Sequence, residues 1–572
     1  MLLPVGLRAD FLRAARNMLL KARDGKDFYR TCRSDFPSGK SGCGFHSTDL
    51  NGDARRGSKT FGRCFFMQFI GTRSGERVSA PEAVYNGLSA GGGLYVPVSF
   101  PLVGKAEREK MENMSYAERA KYILSLYFGE FGDEFLTSVS ESALKGFEGK
   151  DEVPLVKIDD GRYVLELFRG QTCSVKDLSV NIFAPLFKEA KKRLNKTEKT
   201  LILAATSGNT GVSLIDNFKD DEDVYVAAFY PEEGLSKMQR LNLTVMSGER
   251  VYAAGVSDNF DVCQHLAHRI LCSEKFGGEL KKRAIYAAGG NSSNVARLIP
   301  EIVWYFSAYA DLCSSGQIED GEEVDFSVAS GNLNAAVAGW YAKKMGLPVR
   351  KLFVPFNRNK AALDLFTKGA LNEDKSFRRT MAKGLDVAVP LNAERLVFEL
   401  SGRNAASTAE RMRMLDDTGV LSLTESERAA LVKDFYAEYA SEDELLETSY
   451  SIFEEYGYVT DVETGVAAAV TDKYRAENED DETPLVLAAT VNPFKCPQDV
   501  LYCISGNDVK DSYKGVKRLN LLTAMKPPKF VTELRYIEPR FKDVLPAEGK
   551  RLTAALLDFV DGNFVPETKK KR

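Results

Sequence analysis

Lys176 lies in ELFRGQTCSVKDLSVN (166–181), where a strand-like run, Tyr163 to Leu167, stops at Gly170 and an apolar helical pattern starts near Leu178. A lysine at the end of a strand, among Cys173, Val175 and Leu178, is either a solvated side chain or an amine held for chemistry. With 77 Lys+Arg in the chain, the position gains meaning only from other loops that could share a site with it. Three loops end apolar runs: Thr206-Ser207-Gly208-Asn209-Thr210-Gly211, Ser330-Gly331-Asn332-Leu333-Asn334-Ala335, and the stretch 487–497, Leu-Ala-Ala-Thr-Val-Asn-Pro-Phe-Lys-Cys-Pro. Glycines let a backbone turn its N–H groups toward a ligand, and a following helix N-terminus adds positive potential, so such loops suit an anion. Singly each is only a turn, and SGND at 505–508 shows how readily such strings arise. Together with a lysine they form the set that pyridoxal 5'-phosphate requires: an amine for the aldehyde, a cradle for the phosphate and a partner for the ring nitrogen. A hydroxyl partner such as Thr490 would leave that nitrogen largely neutral, whereas a carboxylate would hold it protonated.

The elements that must position these residues are also legible. Leu201–Thr206, Asp223–Tyr230, Val324–Ser330, Val349–Phe356 and Leu485–Thr490 read as buried strands, and several are followed by a turn and an apolar helix, as in Ala335–Met345. Strand-turn-helix units in series predict an α/β fold with a parallel sheet, whose ligands bind beyond the carboxyl ends of the strands. Upstream, residues 67–97 predict a strand, a helix initiated at Ser79, a Gly91-Gly92-Gly93 turn and a second strand; 104–150 reads as helices. The highly charged segment 357–450 reads as helical, with a largely solvated face over 427–448, and residues beyond 500 carry few signals.

Composition sets bounds. A chain of 572 residues should hold more than one domain, and 44% hydrophobic with 28% charged residues is ordinary for a globular protein. Net charge is −4, which argues against a nucleic-acid or membrane-surface role, and no apolar run reaches transmembrane length. The nine cysteines show no CxxC pair and read as free thiols of a reducing compartment, so a cytoplasmic location is expected. Three histidines, His46, His265 and His268, lack partner ligands at metal spacing, and no metal site is expected. Residues 1–66 hold 13 Lys/Arg and 6 Asp without Glu, a local +7. This extension fits a transit peptide, translated sequence upstream of a start at Met67, or a plain tail.

From Met67 to about Pro497 the chain resembles threonine synthase, a fold-type II pyridoxal-phosphate enzyme. The resemblance rests on GTRSGERVSAPEAVYNGLSAGGGLYVP, LELFRGQTCSVKD, LAATSGNTG, FYPEEGLSKMQ, GVSDNFDVCQ, NSSNVARLIPEIV, GNLNAAVAGWYAKKMGLP and DVETGVAAAV, in the family's order and spacing. It implies two open, twisted, mostly parallel sheets with flanking helices. The expected organisation is an N-terminal subdomain over 67–150, a catalytic region over 151–500 with a small domain at roughly 200–310, and a C-terminal extension over 501–572. It also implies conversion of O-phospho-L-homoserine and water to L-threonine and phosphate, by a monomer or homodimer. Lys176 matches the Schiff-base lysine, and Asn209 the residue that reaches the cofactor's ring hydroxyl. Gly331, Asn332 and Leu333 match the cofactor-phosphate loop, with Asn334 as an added side-chain donor, and Thr490 the ring-nitrogen partner. Ser207 and Thr210 match the substrate-carboxylate loop; Asn291, Ser292 and Arg297 match the substrate-phosphate motif.

The sequence also departs from the family pattern. Val175 replaces the usual Phe, Gly331-Asn332-Leu333-Asn334-Ala335 replaces Gly-Asn-Phe-Gly-Asn, and Asn492-Pro493-Phe494-Lys495-Cys496 replaces His-Pro-Ala-Lys-Phe. Two other outcomes are compatible with these changes. One is a phospho-lyase that stops at elimination, and the other is an inactive cofactor-binding relative that acts through partners.

Overall fold

The apolar runs at 201–205 and 485–489 are wholly or almost wholly enclosed, as strands covered by helices on both faces must be. The computed structural model describes residues 66–149, 151–373 and 377–563. Except for Phe66, the basic extension 1–66 lies outside these residues.

Two sheets organise the chain. The larger has six strands in the order Phe435–Tyr439, Val349–Phe356, Val324–Val328, Leu485–Ala489, Arg162–Glu166 and Leu155–Asp159. All neighbours in it are parallel except the last two, which form an antiparallel hairpin. The smaller has five strands, all parallel, in the order Val544–Leu545, Val251–Val256, Val224–Pro231, Lys199–Ala205 and Ile285–Gly289. The helix Pro300–Ser314 is buried over most of its length and packs against the large sheet, with Tyr305 edge-on to Phe326 at 4.9 Å. Ahead of both sheets, the antiparallel strands Arg77–Val78, Phe69–Gly71 and Tyr95–Pro97 and four α-helices form the N-terminal part. Ser79 caps the helix Ala80–Asn86 in a capping box with Glu82, as its position before an apolar run requires. Among the described residues no helix is long and apolar enough to cross a membrane.

Two segments differ from their sequence reading. Within 357–450, Phe435–Tyr439 is not helical but forms the edge strand of the large sheet, and Ala370–Asn372 pairs with Val420–Ser422. Five residues amid charged helices carry too little pattern to announce a strand; the open sheet edge supplies the pairing. The segment after 500, silent in sequence, returns to the small sheet. Val544–Leu545 adds a strand beside Val251–Val256, and Phe559 stacks on Tyr252 at 5.4 Å and meets Tyr225 edge-on at 5.6 Å. Phe559→Ala is expected to destabilise the full chain by about 3–5 kcal/mol, the ordinary result of emptying a buried aromatic site. A urea-unfolding midpoint that does not move would show that the helix Gly549–Val560, which carries Phe559, contributes nothing to the small sheet.

Candidate functional site

The loop that carries Lys176 is built by a second loop. Beyond the parallel pair Arg162–Glu166 and Leu485–Ala489, the Leu167 N–H donates to Ala489 O at 2.9 Å and the Val175 N–H to Thr490 O at 2.8 Å. The Asn492 N–H returns to Cys173 O at 3.1 Å. Lys495, 1% exposed, donates from Nζ to Thr172 O at 2.8 Å, and burial pulls its ammonium below the ordinary lysine range. Cys173 sits at φ 61°, a left-handed conformation that a non-glycine residue holds only when its surroundings impose it. Buried Asp177 accepts from the Thr172 N–H at 2.8 Å and Ser213 Oγ at 2.9 Å. Burial pushes its carboxyl up, while the Thr172 bonds and then Lys495 act in the opposite sense.

This scaffold makes Lys176 the first residue of the helix Lys176–Arg193. Its Nζ lies 3.4 Å from Glu301 Oε1, and the other oxygen of that 1% exposed carboxyl has no hydrogen-bond partner. Two further helices begin at the same cavity, Asn209–Phe218 and Asn334–Lys344; in none of the three does the N-cap residue's own side chain cap the helix, while Thr206 Oγ1 accepts from the Gly211 N–H at 3.0 Å and Ser330 Oγ from the Ala335 N–H at 3.2 Å. Three helix N-termini turned on one space concentrate positive potential there. The Gly331 and Asn332 N–H groups have no partner among the described residues. Gly331 is required by close approach, because a Cβ there would lie 2.2 Å from Gly384 O.

The cavity, about 100 Å³, is lined by every residue expected at the site except Leu333. The structure therefore brings together Lys176, Ser207, Asn209, Thr210, Asn291, Ser292, Arg297, Gly331, Asn332, Asn334 and Thr490. Their side chains are not equally free. Asn209 Oδ1 is enclosed without a partner, which fits a ligand hydroxyl. Asn291 spends both amide atoms on the Ala205 backbone, at 2.9 and 2.7 Å. Asn332 donates to Gln264 Oε1 at 2.7 Å and accepts from the Leu391 N–H. The left-handed residue of the loop is Leu333, φ 56°, not Asn334. Asn334 instead starts the helix and donates from Nδ2 to Arg297 O at 3.3 Å, leaving its Oδ1 unpaired.

Arg297 is 1% exposed and donates to Gly290 O at 2.7 Å and Ser179 Oγ at 3.2 Å. Among the described residues no carboxylate lies within salt-bridge distance of it. Burial pulls its guanidinium down to about 10, opposed by Glu301, so at neutral pH it is an enclosed cation without a full counter-charge. An anion placed there relieves that cost. Sequence reasoning missed four contributors. Arg395, fully buried, holds the Ser292 and Ser293 carbonyls at 2.7 and 2.8 Å, and Asn392 donates to Ser292 Oγ at 3.0 Å. Glu301 and Glu463 stood inside quoted motifs without a role, and only their approach to Lys176 and Thr490 assigns one. A larger cavity, about 890 Å³, between the Asn86–Gly92 turn and the edge strand Ile285–Gly289 contains none of the expected residues.

A lysine, enclosed donors and convergent helix N-termini fit a phosphorylated aldehyde cofactor. Comparison with known proteins agrees. Residues 68–144 match the model described as threonine synthase N terminus. Threonine synthase-like 1 of Homo sapiens is 29% identical over 451 residues, 76% of this chain; the match spans only 60% of the human protein's length. Threonine synthase of Pseudomonas aeruginosa is 28% identical over 436 residues, 76% of this chain and 90% of its own. Among solved structures, pyridoxal-phosphate-bound threonine synthase from Brucella melitensis superposes with a TM-score of 0.73 at 27% identity, covering 86% of this chain and 99% of that one.

Lys495→Met removes the cation beside Asp177 and the donor to Thr172 O. It is expected to cost about 1–3 kcal/mol, the range for leaving a buried acceptor such as Thr172 O without its donor. Chemical denaturation of the full chain measures it; an unchanged midpoint would show that the loop does not depend on Lys495.

Proposed function

We propose that this chain, a threonine synthase-like protein of the fold-type II pyridoxal-phosphate family, converts O-phospho-L-homoserine and water to L-threonine and phosphate. The observation that carries the proposal is the pairing of Lys176, at a helix N-terminus, with the enclosed and uncompensated cation of Arg297 in one cavity. Bound through Lys176, pyridoxal phosphate supplies an electron sink for carbanions next to the substrate nitrogen. The protein supplies orientation and proton movement.

In this reading the free Lys176 amine takes the Cα proton and holds it as an ammonium that Glu301, 3.4 Å away, stabilises. Ser207 and Thr210 grip the substrate carboxylate beside the N-terminus of the helix Asn209–Phe218. Arg297 and Ser292 hold the phosphate that leaves from Cγ; Asn291, committed to Ala205, fixes the turn that presents them. The start of Asn334–Lys344 and the free N–H groups of Gly331 and Asn332 would hold the cofactor phosphate, and the unpartnered Asn209 Oδ1 would accept from the ring hydroxyl. Water adds at Cβ, a proton returns to Cγ, and atoms balance as threonine and phosphate.

Purified full-length protein is expected to release phosphate from O-phospho-L-homoserine with threonine as the amino-acid product. A keto acid and ammonia instead would mean that the reaction ends at elimination. Lys176→Ala should abolish turnover and the visible absorption of the bound cofactor together; borohydride fixation of the cofactor on another lysine would refute the assignment. Arg297→Lys keeps a cation but loses the fork geometry. It is expected to raise the substrate requirement about ten- to a hundredfold while leaving the cofactor spectrum unchanged.

A further inference from the structure

Behind Thr490 the cavity wall carries an acid to which the sequence reading gave no role. Thr490 Oγ1 donates to Glu463 Oε2 at 3.2 Å, and Glu463 Oε1 accepts the Gly384 N–H at 3.1 Å. The carboxyl is thus fixed at both oxygens. A Cβ on Gly384 would lie 2.0 Å from Oε1, so only glycine lets the backbone come that close. Thr490 is 5% exposed, and both it and Glu463 line the cavity. Three glycine-dependent or buried groups, Gly331, Gly384 and Glu463, therefore stack one behind another up to the Thr490 hydroxyl.

The charges around Glu463 favour a proton held nearby. Asp461 caps the helix Val462–Glu477 and accepts from the Glu463 and Thr464 N–H groups and the Thr464 hydroxyl. Burial first, and then the Asp461 charge, push the Glu463 carboxyl above the ordinary range, with Thr490 and Lys176 opposing. Two acids in one enclosed place cannot both ionise freely, and the one with more donors keeps the charge. The other ionisable groups on this side are engaged elsewhere: Lys383 pairs with Asp499 at 3.4 Å, Lys495 with Thr172 O, and Lys176 with Glu301. The Cys496 thiol, pushed up by burial, stays neutral.

We propose that Glu463 is a positioning residue that exchanges one proton with the ring nitrogen of the bound cofactor through the Thr490 hydroxyl, and so sets how strongly the cofactor withdraws electrons. This rests on the function proposed above, with Thr490 facing the ring nitrogen. A hydroxyl has one hydrogen and can donate in one direction at a time. With the proton on Glu463, the carboxyl donates to Thr490 Oγ1 and the hydroxyl donates to a neutral nitrogen. With the proton on the nitrogen, the N–H donates to Oγ1 and the hydroxyl donates to the Glu463 carboxylate; the 3.2 Å contact between Thr490 Oγ1 and Glu463 Oε2 serves either arrangement. Two hydrogens shift, no heavy atom moves, and the number of protons is unchanged. A hydroxyl alone would leave the nitrogen neutral; a carboxylate one bond behind it does not.

Glu463→Gln tests this with almost no change of shape. The Gly384 N–H fixes the amide oxygen, so the new NH₂ faces Thr490 and donates to it. Thr490 must then donate to the ring nitrogen, which is locked neutral. Full-length protein loaded with ring-¹⁵N pyridoxal phosphate is examined by nitrogen NMR at neutral pH. The wild-type signal is expected to be displaced toward the protonated position, and that of Glu463→Gln to sit at the neutral position. Thr490→Val should give the neutral position as well. Cofactor affinity in Glu463→Gln should change less than about tenfold, since one neutral bond replaces another. Coincident wild-type and Glu463→Gln signals, or a neutral wild-type nitrogen, overturn the relay. Failure of the function itself has a different signature: wild-type protein in which borohydride fixes no cofactor on Lys176.

Discussion

The site depends on the lacing of two loops that leave neighbouring strands of the large sheet. The bond Leu167 N–H to Ala489 O extends the parallel pairing, the bonds Val175 N–H to Thr490 O and Asn492 N–H to Cys173 O then form an antiparallel bridge between the two loops, and Lys495 closes it at Thr172 O. This fixes Lys176 relative to Thr490 without any direct contact between their side chains. It also explains a left-handed Cys173 and a fully enclosed lysine. Both are unfavourable alone and are held because the loop's carbonyls have no other donor.

The charges of the site follow from that geometry. Helix N-termini and Arg297 make its interior receptive to anions, while Glu463 stands in the wall and Asp177, Glu301 and Asp461 are buried behind it. Each of these acids is either bonded by backbone and hydroxyl donors or set against a lysine. Charge of both signs is thereby kept in place at low local dielectric, where it acts on a ligand more strongly than it would in water.

The two sheets divide the work. The loops of Lys176, Gly331 and Thr490 leave the large sheet, and Ser207, Asn209, Thr210 and the Asn291–Arg297 turn follow strands of the small one. A site assembled across two sheets is sensitive to the rigidity of both. The C-terminal strand and helix, with Phe559 on Tyr252, complete the far edge of the small sheet and stiffen the face that presents the substrate loops.

Much of this was legible in the residues. Buried parallel strands announce themselves as continuous apolar runs, and a Gly-rich turn followed by a helical pattern marks a strand's ligand-facing end, so Lys176 and the loops at 206, 330 and 490 were found by local pattern. Local pattern says nothing about which atoms a side chain spends. Asn291 turned to the Ala205 backbone, Asn334 to Arg297 O, and the left-handed turn fell on Leu333, because each depends on a neighbour far away in the chain. For the same reason Phe435–Tyr439 became a strand only where a sheet edge was open, and Val544–Leu545 only where the small sheet could accept it. Glu463 stands 27 residues from Thr490 and 287 from Lys176 in the sequence. The order of residues determined which side chains were available for chemistry; the packing of strands and helices decided which of them share a proton, since hydrogen bonds and desolvation act over a few ångströms of space and not along the chain.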